Sequence, residues 1–276
     1  MNHPAIVPTD RRIAVVGDVG GHRDELEREL VRLGADPDTG RLPDDLIVIQ
    51  VGDLVHRGPD SAGVVAMVDR YVREQPDQWF QLIGNHEAQY LREKSFAWPE
   101  TLDEDSAAVL RRWWADGVML VAAVVTDLGG EDLLITHAGV TEGFWRRVLG
   151  APETAERTAL VLNAMRWRRD DLLFRSGQVL GGGRPNLAAG PLWASASTEL
   201  LPGWLDGWLP FSQVHGHTSL VRWSDGAFLG PSLVSERTVV DLEARHETTT
   251  LLGGRIVGVD PGHDAEPRGP WRAWEP

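Results

Sequence analysis

Three apolar runs in this chain end in the same way. Ile13-Ala14-Val15-Val16 is followed by Gly17-Asp18, residues 46–51 by Gly52-Asp53, and residues 79–83 by Gly84-Asn85-His86. Glycine lets the backbone turn sharply as it leaves a strand. The next side chain then points into the crevice beyond the strand's carboxyl end, where α/β folds place ligands. Asp18, Asp53 and Asn85 are therefore expected to converge, and all three offer oxygen ligands to a hard cation. Six of the nine histidines lie in or beside such strand ends: His22, His56, His86, His137, His215 and His217. Carboxylate, amide and imidazole together suit Mn²⁺, Fe or Zn²⁺ better than Mg²⁺ or Ca²⁺ alone.

Alternating elements must hold these side chains. Leu26, Leu30 and Leu33 share one face of a helix over 24–33, and a second helix is predicted over 61–73 behind the start signals Pro59 and Asp60. Strand, polar tip and helix, repeated three times, predict a parallel sheet with crossover helices. Further helices are expected over 102–116 and 152–171, the latter basic near its end (Arg166, Arg168, Arg169). Strands are expected over 118–126, 133–136, 212–214, 238–242 and 255–259. The Gly/Pro-rich stretch 177–191 reads as a surface loop. The last dozen residues, rich in Pro, Trp and Arg, read as loosely ordered.

The chain has 276 residues and a formal charge of -14. That length is enough for a substantial core. The acidic balance argues against nucleic acid and anionic lipid as partners. Lys94 is the sole lysine, and cysteine is absent. No disulfide, thiolate metal site or thiol nucleophile is possible. Residues 1–12 lack the apolar core of a signal peptide, and no window approaches a membrane span, so a cytoplasmic location is the expectation.

The order GDVGGH, GDLVHRG, GNHE, THAG and GHT, from residue 17 to about 218, resembles the calcineurin-like metallophosphoesterase superfamily. It is most similar to the serine/threonine phosphoprotein phosphatase branch with its bacterial and phage members. The resemblance implies a four-layer α/β/β/α sandwich with two mixed sheets, as one domain over 1–276. Helical cap insertions over about 88–116 and 141–211 would set substrate choice. It also implies two divalent ions, expected to be Mn²⁺, with Fe or Zn²⁺ as alternatives, about 3.5–4 Å apart. By this resemblance Asp18 binds the first ion, Asp53 bridges both, and Asn85, His137 and His217 bind the second. A hydroxide activated by the metals attacks phosphorus, His86 is the general acid, and Arg57 clamps the phosphate. Glu87 supports the loop. The substrate is then a phosphorylated protein or a small phosphoester, most simply a monoester, with a dinucleoside polyphosphate as an alternative.

Two positions depart from that pattern. Gly20 stands where the family has a histidine ligand of the first metal. The first position is thus expected to bind weakly or not at all, unless His22 swings in. His56 stands where the family has the aspartate that orients the catalytic histidine, and it adds no negative charge. His86 is therefore expected to hold its proton less well near pH 7. The second phosphate-binding arginine is not evident before His217, and Arg166, Arg168 or Arg169 could supply that charge. Gly20 and His56 keep open a degenerate, single-metal or non-catalytic binding protein. Retention of Asn85, His86, His137, His217 and Arg57 speaks for the enzyme. His215 is expected on the opposite face from His217, and His3, His246 and His263 fall outside the motifs.

Overall fold

The computed structural model describes residues 6–7, 11–168, 171–263 and 269–276. In chain order the first half runs β1 (Arg12–Val16), α1 (Arg23–Arg32), β2 (Leu46–Gln50), α2 (Ser61–Glu74), β3 (Trp79–Leu82), the single turn α3 (Asn85–Ala88), α4 (Glu104–Asp116) and β4 (Met119–Leu120). These strands form one sheet in the order β1-β2-β3-β4, every pair parallel. The second half runs β5 (Ala122–Thr126), β6 (Asp132–Thr136), α5 (Glu142–Arg147), α6 (Ala155–Met165), α7 (Gln178–Gly181), β7 (Ser212–His215), the small hairpin β8 (Val221–Arg222) and β9 (Ala227–Phe228), β10 (Thr238–Asp241), β11 (His246–Leu251) and β12 (Gly254–Gly258). Its six-stranded sheet has the order β10-β11-β12-β7-β6-β5 and mixes parallel with antiparallel pairs. The expected pair of mixed sheets is thus one parallel sheet and one mixed one.

Alternation along the strands builds the four layers. Ile13, Val15, Ile47, Ile49, Phe80 and Leu82 turn inward between the sheets and meet Ala123, Val125, Leu133, Ile135, Val214 and Val257. Their neighbours Ala14, Val16, Leu46 and Val48 turn outward onto Leu26 and Leu30 of α1 and Val64, Val65 and Val68 of α2. Successive side chains of a strand face opposite ways, so an unbroken apolar strand must be covered on both sides. Each fully buried large aliphatic side chain contributes about 1.5–3 kcal/mol of transfer free energy. The helices start where their caps dictate. Asp60 accepts from the Gly63 amide at 2.8 Å, and Asp103 from the Ser106 amide at 2.8 Å.

Four stretches differ from the sequence reading. Residues 118–126 are two strands in different sheets, split at Val121. Asn163 of α6 fixes the crossing: its Oδ1 accepts from the Val121 amide at 2.8 Å, and its Nδ2 donates to the Ala122 carbonyl at 2.8 Å. The helix expected over 152–171 is shorter, because α6 ends with its last buried apolar residue, Met165. Residues 177–191, expected as a surface loop, include the single turn α7 and are anchored from beneath: Glu199 is fully buried and accepts from the amides of Gln178, Asn186 and Ser195. Finally, the chain end is ordered where it is described. Trp274 exchanges two backbone hydrogen bonds with Val15, and Trp271 and Ala273 are buried. The strand β11 was not foreseen, since His246–Leu251 is mostly polar.

Candidate metal centre

Every strand exit that faces this site is held by close backbone packing. Gly52 has φ 107°, and a Cβ there would run into the Gly84 backbone. A Cβ at Gly216 would collide with the Asp18 carboxylate. The buried Gln50 ties two exits together, donating to the carbonyls of Gly17 at 3.0 Å and Gly52 at 2.7 Å. Glu87 accepts the amides of Asp53, Leu54 and Gly84, each at 2.8 Å. Burial and the neighbouring Asp53 charge push its carboxyl up to about 7, yet both oxygens are spent on the loop. Asp53, His56, Arg57 and His217 all sit at positive φ (55°, 73°, 70° and 65°). Non-glycine residues are rarely held so, and such strain concentrates where a side chain must be aimed.

The residues named from sequence converge. Asp53, His137 and His217 bring one ligand atom each within 4.8 Å of one another. His137 Nε2 lies 2.9 Å from Asn85 Oδ1 and 3.4 Å from Asp53 Oδ1, while its Nδ1 contacts the Val51 carbonyl at 3.1 Å. Both ring nitrogens face acceptors only, so a neutral ring with its single N–H on Nδ1, toward the carbonyl, presents a lone pair at Nε2. That lone pair faces two oxygen acceptors, an arrangement a cation relieves. His217 Nε2 is buried with no hydrogen-bond partner among the described residues. Burial lowers the pKa of both His137 and His217, which keeps them in the neutral form that ligates metal. Asp53, Asn85, His137 and His217 therefore fit one divalent ion.

Asp18 is buried beside them, and its carboxylate oxygens accept from the His217 amide at 3.0 and 3.2 Å. Burial raises its pKa, and the charges of Asp260 and Asp53 raise it further. Burial also acts upward on Asp53, whereas positive charge on the neighbouring His137, His86 or His217 rings draws it down. With those rings neutral, a metal ion would supply the positive charge that both buried carboxylates lack. Gly20 adds no ligand. His22 does not fill the gap: it turns toward Glu25 and stacks on His263, ring centroids 4.5 Å apart.

His86 is held by its neighbours on one side and lines a cleft on the other. Its Nδ1 lies 2.7 Å from His56 Nδ1, and His56 Nε2 lies 2.6 Å from the Tyr90 hydroxyl. Burial, then the charge of His86, takes the His56 pKa down to about 4. His86 Nε2 is 3.9 Å from Asp53 Oδ2. The cleft has a volume of about 750 Å³, and His86, Arg57, Phe96, Trp98, Trp193 and Trp223 are among its walls. The Arg57 guanidinium stands 5.1 Å from the Trp98 ring centre.

Sequence reasoning missed several groups here. Arg222 lines the cleft from β8, five residues beyond His217, whereas Arg166 stacks on Trp114 at 5.0 Å and neither it nor Arg168 lines the cleft. Arg169 lies outside the described residues. Asp260 lines the cleft as well, from the exit of β12. His215 is buried and turned away, its Nδ1 donating to the Gly216 carbonyl at 2.8 Å.

Comparison with known proteins agrees with this architecture. A family model for calcineurin-like phosphoesterases matches residues 11–219, and the chain belongs to that family. It is 35% identical over 82 residues to a zinc-dependent endopolyphosphatase of Saccharomyces cerevisiae, covering 30% of this chain and 22% of that protein. It is 35% identical over 77 residues to the asymmetrical bis(5'-nucleosyl)-tetraphosphatase PrpE of Oceanobacillus iheyensis, covering 27% of this chain and 30% of that protein. The matched segment thus spans less than a third of either relative. A cold-active protein-tyrosine phosphatase of a psychrophilic Shewanella shares the fold, with a TM-score of 0.56, 15% identity, and coverage of 98% of this chain and 76% of that one. Among the described residues no helix is long and apolar enough to cross a membrane.

Proposed function

We propose that the chain is a metal-dependent hydrolase of phosphate monoesters that works with two divalent ions, Mn²⁺ first among the candidates. The observation that carries this reading is the convergence of His137 Nε2, Asn85 Oδ1 and Asp53 Oδ1 beside the unpartnered Nε2 of His217. Asp53, Asn85, His137 and His217 would hold one ion; Asp18 and Asp53 would hold the other. When bound, the ions supply Lewis-acid polarisation of the phosphate and activation of the attacking water at neutral pH.

The remaining steps belong to side chains. Arg57 pairs its planar fork with the phosphate oxygens, and its contact with Trp98 limits its swing. His86 gives a proton from Nε2 to the leaving oxygen. As the acid, His86 is the imidazolium: its Nδ1 donates to the Nδ1 of neutral His56, and its Nε2–H is the proton given to the leaving oxygen. His56 donates in turn from Nε2 to the Tyr90 hydroxyl, which also accepts from the Leu102 amide at 3.0 Å. This relay orients the acid but lends it no charge, so good leaving groups are favoured. The stretches about Phe96–Trp98 and Val179–Trp193 act as the cap that selects the substrate.

A second reading, a dinucleoside polyphosphate as substrate, draws on the rings of Phe96, Trp98, Trp193 and Trp223, which could stack a nucleobase. The test is Mn²⁺-dependent turnover of p-nitrophenyl phosphate, an alkyl phosphate and a dinucleoside tetraphosphate side by side. Preference for p-nitrophenyl phosphate is expected. Turnover of the tetraphosphate alone would favour the second reading, and turnover of none would leave a non-catalytic binding protein.

A further inference from the structure

We infer that Asp260 completes the first metal position, replacing the ligand that Gly20 cannot provide. The inference rests on the two-ion reading above. Asp18 and Asp53 by themselves offer two side chains, fewer than a hard divalent ion takes from a well-formed protein site.

The topology delivers a third. β12 pairs in parallel with β7 in a register that sets Gly258 against His215. The Val259 amide continues that pairing by donating to the His215 carbonyl at 2.8 Å. Two residues beyond the pair stand Asp260 on one strand and His217 on the other. Gly17 packs against the Val259 carbonyl, so close that a Cβ could not be accommodated. The exit of β12 is therefore fixed directly beside the exit of β1, which carries Asp18. Asp260 is anchored there: its carbonyl accepts from Trp223 Nε1 at 3.0 Å, and its Oδ1 from the Gly262 amide at 2.9 Å.

A small cavity lies where these exits meet. It measures about 40 Å³, and Asp18, Asp53, His217, Asp260, His263 and Arg57 are among its walls. Three carboxylates border this space with one guanidinium, that of Arg57, so a divalent ion there would offset the charge that remains. His263 explains how the fold does without a side chain at position 20. Its Cδ2 sits 3.1 Å from where a Cβ on Gly20 would lie, and its Nε2 bonds the Asp18 carbonyl at 2.8 Å. Residues 260–263 thus fill the space of the absent side chain with His263 and supply a carboxylate with Asp260.

Ion counting tests this without reliance on activity. Metal-free protein is equilibrated with Mn²⁺, freed of excess, and examined by elemental analysis and by electron paramagnetic resonance for spin coupling between neighbouring ions. The parent chain is expected to hold about two ions with a coupled signal. Asp260→Asn is expected to hold about one and to lose the coupling, while Asp260→Glu and His263→Ala keep both ions. Two coupled ions in Asp260→Asn would overturn the assignment. So would one ion in both Asp260→Asn and Asp260→Glu, which marks a structural residue. Loss of an ion in His263→Ala but not in Asp260→Asn would give the ligand role to His263. One ion in the parent itself would remove the two-ion reading, and the assignment of Asp260 with it.

Discussion

The two proposed metal positions are built from different material. Around the second, four donors come from four strand exits: Asp53 after β2, Asn85 after β3, His137 after β6 and His217 after β7. Two of these exits are backed by buried partners, the Val51 carbonyl for His137 and Glu87 for the Asp53 loop. Around the first, Asp18 and Asp53 face the glycine at position 20, and what surrounds them comes from the turn after β12. A position made of strand exits inherits the rigidity of two sheets. A position completed by a turn depends on the path of the chain more than forty residues after the last recognised motif.

Breaking the second position should have the largest effect. His137→Ala is expected to remove an ion and lower kcat on p-nitrophenyl phosphate by about a thousandfold or more, in line with the worth of preorganised charge at a reacting centre. Retention of both ions and of rate would show that this cluster is structural. Removing the acid comes next. His86→Asn should cost about 100- to 10,000-fold on an alkyl phosphate and far less on p-nitrophenyl phosphate, whose leaving group needs little help. Equal losses on the two esters would contradict the assignment of His86.

His56→Asp should sharpen the contrast by giving His86 the negative neighbour it lacks. The expected result is a severalfold gain on alkyl phosphates, with the alkaline limb of the pH–rate profile moved upward. An unchanged profile would mean that the relay through Tyr90 already sets the proton affinity of His86.

The smallest effect concerns stability. Burial takes the His215 pKa down to about 4. A lowered folded-state value means that stability is present above the unfolded pKa of about 6.5 and is lost as pH falls through 4. Acid-induced destabilisation between those limits should shrink by on the order of 2 kcal/mol in His215→Gln, as read from denaturant melts at pH 7 and pH 5.

The second position was legible in the sequence for the same reason that it is rigid. Gly52-Asp53 and Gly84-Asn85 each terminate an unbroken apolar run recognisable as a strand, and Thr136-His137 follows such a run as well. The first position was legible in Gly17-Asp18 and in its deficit at Gly20, but not in what stands opposite them. What surrounds it arrives across long stretches of chain: 199 residues separate His217 from Asp18, and 245 separate His263 from Asp18. No local pattern encodes such an approach. The break at Val121 was hidden because both flanking strands are apolar, and the ligand that splits them is Asn163 in a distant helix. Arg222 and the aromatic cleft were hidden likewise, since the twelve tryptophans carry no sequence mark that separates core from wall.

On the proposed reading, this site hydrolyses phosphate esters through bound metal. That reading is tested most directly by titrating metal-free protein with Mn²⁺ while following both ion content and p-nitrophenyl phosphate turnover. The account predicts no turnover without metal and a rate that rises as the second equivalent binds. Two ions bound with no turnover, or turnover that ignores the metal, would contradict it.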